Sequence, residues 1–147
     1  AAVIHNHSGD HFCCAMWDIR EVLRDLDPKW AGYYFDPGHA TSVGVVNGWL
    51  VAAQLALPRL KMVALKDFYF EKTGGQWSLK WCPLGEGMVD WDKFLSLLAG
   101  ARFSGPVSLH VEYKPQNLPS AIAKDLEFIR NRIARAYQPS AAPASGN

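Results

Sequence analysis

Four short apolar runs in this chain each end in a polar cluster: AAVIHNH (Ala1 to His7), AGYYFDPGH (Ala31 to His39), MVALKD (Met62 to Asp67) and VSLHVEY (Val107 to Tyr113). Alternate residues of a strand face the same side of a sheet. Counting by twos puts Val3, His5 and His7 on one face of the first run, and Tyr34 with Asp36 on one face of the second. The same count groups Met62, Ala64 and Lys66 in the third run, then Ser108, His110 and Glu112 in the fourth. Four such strands laid parallel aim their polar ends at a common point on the carboxyl edge of the sheet, where α/β folds carry their chemistry.

The segments between the runs read as helices. After the first strand and the SGD turn, Phe12, Met16, Ile19, Leu23 and Leu26 recur at helical spacing, and Asp27-Pro28 ends that helix. The second strand stops at Asp36-Pro37-Gly38, read as a turn, and a helix follows from about Asn47 to Leu57, closed by Pro58. The third strand, Lys61 to Lys66, leads into a long excursion in which FYFEK and QWSLKW flank Thr73-Gly74-Gly75, the pattern of a hairpin. A glycine-punctuated loop, PLGEG (Pro83 to Gly87), precedes Asp90, a natural cap for a helix reaching about Ala99. Gly105-Pro106 introduces the fourth strand, and the last helix carries Ile122, Leu126, Ile129 and Ile133 on one stripe with Pro119 near its first turn. The order βαβαβαβα, with helices long enough for parallel crossovers, predicts an α/β fold with parallel strands and outer helices. A barrel is preferred to an open doubly wound sheet, since each strand carries its polar group at its end and no Gly-rich phosphate turn is present.

A length of 147 residues suits one domain with one core. The formal net charge of +1 supplies no field for nucleic acid or an acidic membrane, and no apolar stretch is long enough to span a bilayer. Cys13, Cys14 and Cys82 form no CxxC pair and no even disulfide framework; the adjacent pair reads as small hydrophobes buried in a helix, with a reducing, cytoplasmic compartment preferred. Ala1 already lies inside an apolar strand, so a targeting segment would stand upstream of this sequence. The small, polar, Pro-containing stretch 138–147 reads as a disordered tail behind a domain of residues 1–137.

The succession HNHSG, FDPGHA, LKD, PLGEGMVDW and GPVSLHVEY resembles the carboxyl-terminal half of xylose-isomerase-like TIM barrels, the sugar phosphate isomerase/epimerase group related to the family-2 AP endonucleases. A whole barrel of this kind needs about 250 residues and eight strands. The resemblance thus implies about four βα units, the half of a (β/α)8 barrel, with an open edge at the first strand and another at the fourth. Exposed edges are liabilities. A fragment of a longer protein, or a half that pairs with a missing half-barrel or a second copy, is the expectation.

The resemblance also implies a divalent metal ion (Mn, Mg, Zn or Co) held by residues from four strands, commonly Glu, Asp, His and Glu. In such enzymes the ion stabilises an enediolate while carboxylates move a proton between adjacent carbons of a sugar. Carried over by position, His5 stands at the first Glu, Asp36 matches the Asp, and His39 matches the His of the D-x-x-H turn. The third strand departs, with Ala64 at the His position and Lys66 two residues on; the fourth departs too, with His110 at the last Glu and Glu112 beside it on the same face. The implied metal set is therefore His5, Asp36 and His110, with Glu112, Lys66 and His39 left for catalysis.

Each residue has a plainer reading. His5 and His7 suit a hydrogen-bonded core or turn, Glu112 a salt bridge with Lys114 or Arg102, and Lys66-Asp67 a solvated strand end, although alternation sends Asp67 to the helix side. His11 reads as a helix-start residue, Glu86 as part of a surface turn or a loop residue reaching the pocket, and the aromatic excursion as packing or a lid. The leading function is a metal-assisted sugar isomerase or epimerase acting on a small sugar or keto-sugar. The alternatives are a non-catalytic sugar-binding or interaction module and a keto-sugar β-eliminating lyase. A DNA-repair endonuclease of the related class would need more ligands and a basic groove.

Overall fold

The computed structural model describes residues 1–10, 12–44 and 47–138. His11 and most of the expected tail lie outside the described residues. Four parallel strands, β1 (Ala2–His5), β2 (Ala31–Phe35), β3 (Leu60–Leu65) and the later β6 (Val107–Leu109), form one sheet in the order β1-β2-β3-β6. The first crossover carries α1 (Met16–Leu23), and the second carries α2 (Pro37–Gly44), α3 (Gly48–Ala56) and a 3-10 turn at Leu57–Arg59. Between β3 and β6 stand an antiparallel hairpin, β4 (Asp67–Thr73) and β5 (Gln76–Cys82), and α4 (Trp91–Gly100); α5 (Leu118–Ala136) closes the chain. The fold is α/β with a parallel sheet and outer helices, as the sequence predicts.

Alternation divides the sheet as the four runs predict. Tyr33, Phe35, Val63 and Leu65 are buried in one cluster with Ile19 and Leu23 of α1, Trp49 and Ala53 of α3, and Phe94 and Leu98 of α4. The intervening residues His5, Tyr34, Ala64 and Ser108 belong to the opposite face, with His5 paired to Tyr34 and Ala64 to Ser108. The hairpin turns through Gly74 and Gly75 at φ +59° and +83°, a left-handed pair that glycine adopts without strain. Asp90 caps α4, accepting from the Lys93 N–H at 3.1 Å, and Asn117 caps α5 through Ser120 N–H at 2.9 Å.

Four local expectations are corrected. First, α1 starts at Met16, because Ala15 is extended (φ −89°, ψ 138°); Phe12 and Leu26 fall outside the helix and are exposed. Second, Cys13 and Cys14 are half-buried in the turn before α1, not in a helix, with Cys13 at φ +73°. Third, Asp36-Pro37-Gly38 opens a helix and is no simple turn: Pro37 takes the first helical position and Asp36 caps it, accepting from His39 N–H at 3.0 Å. Fourth, strand pairing at the last run stops at Leu109, although His110 N–H still donates to Leu65 O at 2.9 Å. On the α5 stripe Ile129 is fully buried, Leu126 and Ile133 are half-buried, and Ile122 is at the surface. Among the described residues no helix is long and apolar enough to cross a membrane.

Asp67 faces the helix layer and is wholly buried. Its carboxylate accepts from the backbone N–H of Phe68, Gly85 and Val89 and from the Trp91 indole N–H, at 2.8–3.1 Å. This explains the glycine pattern of PLGEG. Gly85 sits at φ +85°, and a Cβ on Gly87 would lie 2.2 Å from Asp67 Oδ1. Replacing Asp67 by Ala strands four donors at once, so urea denaturation is expected to show a loss of more than about 3 kcal/mol. A loss below about 1 kcal/mol would contradict this anchoring role.

Candidate active site

The strand ends are tied to one another before any side chain reaches open space. Asn6, buried just past β1, donates to Asp36 O at 3.0 Å and accepts from Asp36 N–H at 2.8 Å, locking the end of β1 to that of β2. Asp36 is fully buried: Oδ1 accepts the cap bond from His39, and Oδ2 lies 3.3 Å from His5 Nε2 and 3.4 Å from Lys66 Nζ. His39, brought in by the first turn of α2, is gripped at both ring nitrogens. Nδ1 accepts from Ser8 N–H at 3.1 Å and lies 2.8 Å from Ser8 Oγ, while Nε2 lies 2.9 Å from Lys66 Nζ.

Lys66 leaves the end of β3 with a 2 % exposed side chain and donates to Glu112 Oε1 at 2.5 Å. Its Nζ also stands over the Trp81 ring, 5.1 Å from the centroid, and His39 meets that ring edge-on at 5.2 Å. A second group adjoins this one. His110 Nε2 lies 2.7 Å from Tyr34 OH and 3.1 Å from Ser108 Oγ, and the two hydroxyls also bond each other. His5 joins the two groups, stacked on Tyr34 at 4.4 Å with its ring 5.8 Å from that of His110.

His5, Asp36, His39, Lys66 and Glu112 thus meet in one connected cluster, and His110 stands beside it with Tyr34 and Ser108. Asp67 points away, as alternation requires, and Glu86 lines a separate cleft of about 590 Å³ beside Tyr113 and Phe128. Asn6 and Ser8 escaped sequence reasoning, and Trp81 is read there only within an aromatic excursion that packs or forms a lid. The signal for Asn6 is its place between two histidines at a strand end; Trp81 is positioned by the hairpin register, where Phe68 pairs with Trp81. Within the connected cluster, His5, with a 26 % exposed side chain, and Glu112, at 38 %, reach open space, and Tyr34, Ser108 and His110 beside it are half-buried.

The ligand atoms of His5, Asp36 and His39 lie within 4.8 Å of one another, a donor set of the right kind for a divalent ion. Their present partners disagree with that role. Asp36 Oδ1 is spent on the cap, Asp36 Oδ2 and His39 Nε2 both face the Lys66 ammonium, and His39 Nδ1 is held by Ser8. Ligating histidines normally use one nitrogen for the metal and donate from the other. As placed, these residues do not fit an ion, because a cation of the protein's own already stands among them.

Burial pushes the His39 ring down to about 3 from an ordinary 6.5; Lys66, His7 and His5 push the same way, against the pull of Asp36. His110 is also lowered, by burial first and then by Lys66. Between pH 6.5 and 3 the unfolded His39 ring therefore binds a proton that the folded ring refuses, so the protein loses stability as pH falls through this window. Denaturation midpoints measured across it are expected to fall less steeply for His39→Asn than for the unmodified protein. Equal slopes would contradict a buried neutral ring.

The family model for the xylose isomerase-like TIM barrel matches residues 2–132. Among solved structures, a xylose isomerase-like TIM barrel protein from Mycobacterium smegmatis, in complex with magnesium, superposes with a TM-score of 0.74 at 18% identity over 92% of this chain and 44% of its own. The probable 3-DHS dehydratase of Bacillus anthracis gives 0.67 at 17% identity, over 88% of this chain and 49% of its own. The 3-keto-D-glucoside 4-epimerase of E. coli gives 0.63 at 17% identity, over 88% of this chain and 44% of its own. The chain spans less than half the length of these structures. No curated protein matches the sequence significantly. A family match over nearly the whole domain, on a sheet whose strand ends converge as described, means that the chain belongs to the xylose isomerase-like TIM barrel family.

Proposed function

We propose that this chain forms the catalytic face of a sugar isomerase/epimerase-like enzyme, one that moves a proton between adjacent carbons of a small polyhydroxylated keto-sugar. The observation that carries the reading is the meeting of ionisable side chains from the ends of four parallel strands, with a half-exposed carboxylate, Glu112, at its mouth. Four further βα units, from a longer chain or a second copy, would complete the pocket. Three free cysteines accord with a reducing, cytoplasmic setting.

Proton abstraction beside a carbonyl needs a base, and a donor for the oxygen on which charge develops. Glu112 is assigned as the base because it alone of the two clustered carboxylates reaches open space; Asp36 is sealed. The hydroxyl and imidazole group of Tyr34, Ser108 and His110 is assigned to the carbonyl oxygen, with His5 on its flank. Lys66 and His39 are buried and act through Glu112, by fixing its charge and direction. Once the enediolate forms, return of the proton to the neighbouring carbon gives isomerisation, and return to the other face gives epimerisation.

The fold neighbour described as a probable dehydratase favours a second outcome on the same site, β-elimination of water from a ketone, which begins with the same proton abstraction. Both readings predict exchange of the substrate's α-hydrogen with solvent. In the protein carrying this chain, NMR in D2O with a panel of keto-sugars is expected to show exchange that falls by about a hundredfold or more in Glu112→Gln. Exchange at an undiminished rate in that variant would overturn the assignment of the base.

A further inference from the structure

The site offers donors for a cation, and it contains one. We infer that Lys66 is the resident cation of this site, its ammonium taking the place and the carboxylate partners that a divalent ion would otherwise hold. The inference deepens the proposed function and rests on that reading for its meaning in catalysis, while the occupancy itself stands on geometry alone.

Two sides of the ammonium are carboxylate oxygens, Glu112 Oε1 at 2.5 Å and Asp36 Oδ2 at 3.4 Å, and His39 Nε2 stands 2.9 Å away. The indole of Trp81 covers it further, with the ring centroid 5.1 Å from Nζ, an arrangement in which the negative face of the ring attracts the charge. Two of these neighbours, Asp36 and His39, belong to the compact His5, Asp36 and His39 set. With Nδ1 accepting from Ser8 N–H, the neutral His39 ring carries its proton on Nε2, so it has no lone pair left for an ion. A divalent charge beside an ammonium at such short range would also be repelled in a poorly solvated cluster.

The backbone around Lys66 is shaped for this occupant. Its face of β3 offers Ala64, wholly buried and without a ligand atom, and then Lys66 itself. Gly38, in the first turn of α2, lies so close that a Cβ there would meet Lys66 O at 2.6 Å and Lys66 Cγ at 3.0 Å. The missing side chain is what lets the lysine stem pass beneath the helix start to reach Asp36 and Glu112. Two carboxylates with one ammonium leave the cluster one negative charge, with His39 kept neutral by burial.

Equilibrium dialysis against Mn2+, with the bound ion counted by electron paramagnetic resonance, tests the inference on the folded protein without substrate. The unmodified protein is expected to hold no stoichiometric Mn2+ at this cluster, and Lys66→Met to gain a site at least about tenfold tighter, abolished when Asp36→Asn is added. Lys66→Gln serves where Lys66→Met does not fold, and Lys66→Arg, which keeps the charge, is expected to remain free of Mn2+. Near-stoichiometric Mn2+ in the unmodified protein, unaffected by Lys66→Met, would overturn the inference. So would a folded Lys66→Met or Lys66→Gln that still takes up none, since Lys66 would then not be what keeps the ion out. Because no measurement here involves turnover, its failure is separate from failure of the proton-exchange test.

Discussion

Burying an ammonium is costly: stripped of water, such an ion loses several kcal/mol of solvation, recovered only when partners surround it with good geometry. Lys66 is almost completely buried, and its partners come from three other parts of the chain: Asp36 at the end of β2, His39 in α2 and Glu112 beyond β6. Asp36 in turn carries the tie to His5 and Asn6 at the end of β1. Every strand end of the parallel sheet is therefore linked, directly or through one residue, to a single charge. Removing it would leave two carboxylates facing each other with no counter-charge, the arrangement in which a broken buried pair is most destabilising.

Adjacent residues divide two tasks by parity alone. Lys66 faces the site; Asp67, one residue on, faces the helix layer and collects four donors from the hairpin base, the PLGEG loop and α4. The second task serves the first. Asp67 opens β4 and pairs with Cys82, so the register of the hairpin sets Trp81 opposite Phe68, beside Lys66 and His39. A glycine-rich loop that reads as surface punctuation is thus a cradle for a buried carboxylate, and the carboxylate fixes the aromatic wall of the site.

The alternation of apolar strands and helical segments, the hairpin at Gly74-Gly75 and the cap at Asp90 are all legible in the sequence, because each rests on local periodicity or local turn chemistry. So is the facing of His5, Asp36, Lys66 and Glu112, since parity needs no partner. What stays hidden depends on distant residues. The dipeptide Pro37-Gly38 looks like a turn; only Asp36, as a cap, and Lys66, packed against Gly38, show why a helix starts there. The exchange of surroundings between His39 and His110 is of the same kind. His39 is drawn into the cluster by α2, whereas His110 is held aside by the hydroxyls of Tyr34 and Ser108, a contact across 76 positions of sequence. Resemblance to metal-dependent barrels suggests ligands position by position, but it carries no information about an internal cation.

For a member of this family the consequence is chemical. An ammonium built into the chain holds the Glu112 carboxylate in place at 2.5 Å without an exchangeable ion. The most direct check is a crystal structure of the protein soaked in Mn2+, with anomalous scattering recorded at the manganese edge. The account predicts no anomalous peak among His5, Asp36 and His39, with Lys66 Nζ in electron density between Asp36 and Glu112. A strong peak there, with Lys66 swung out of the cluster, would contradict it.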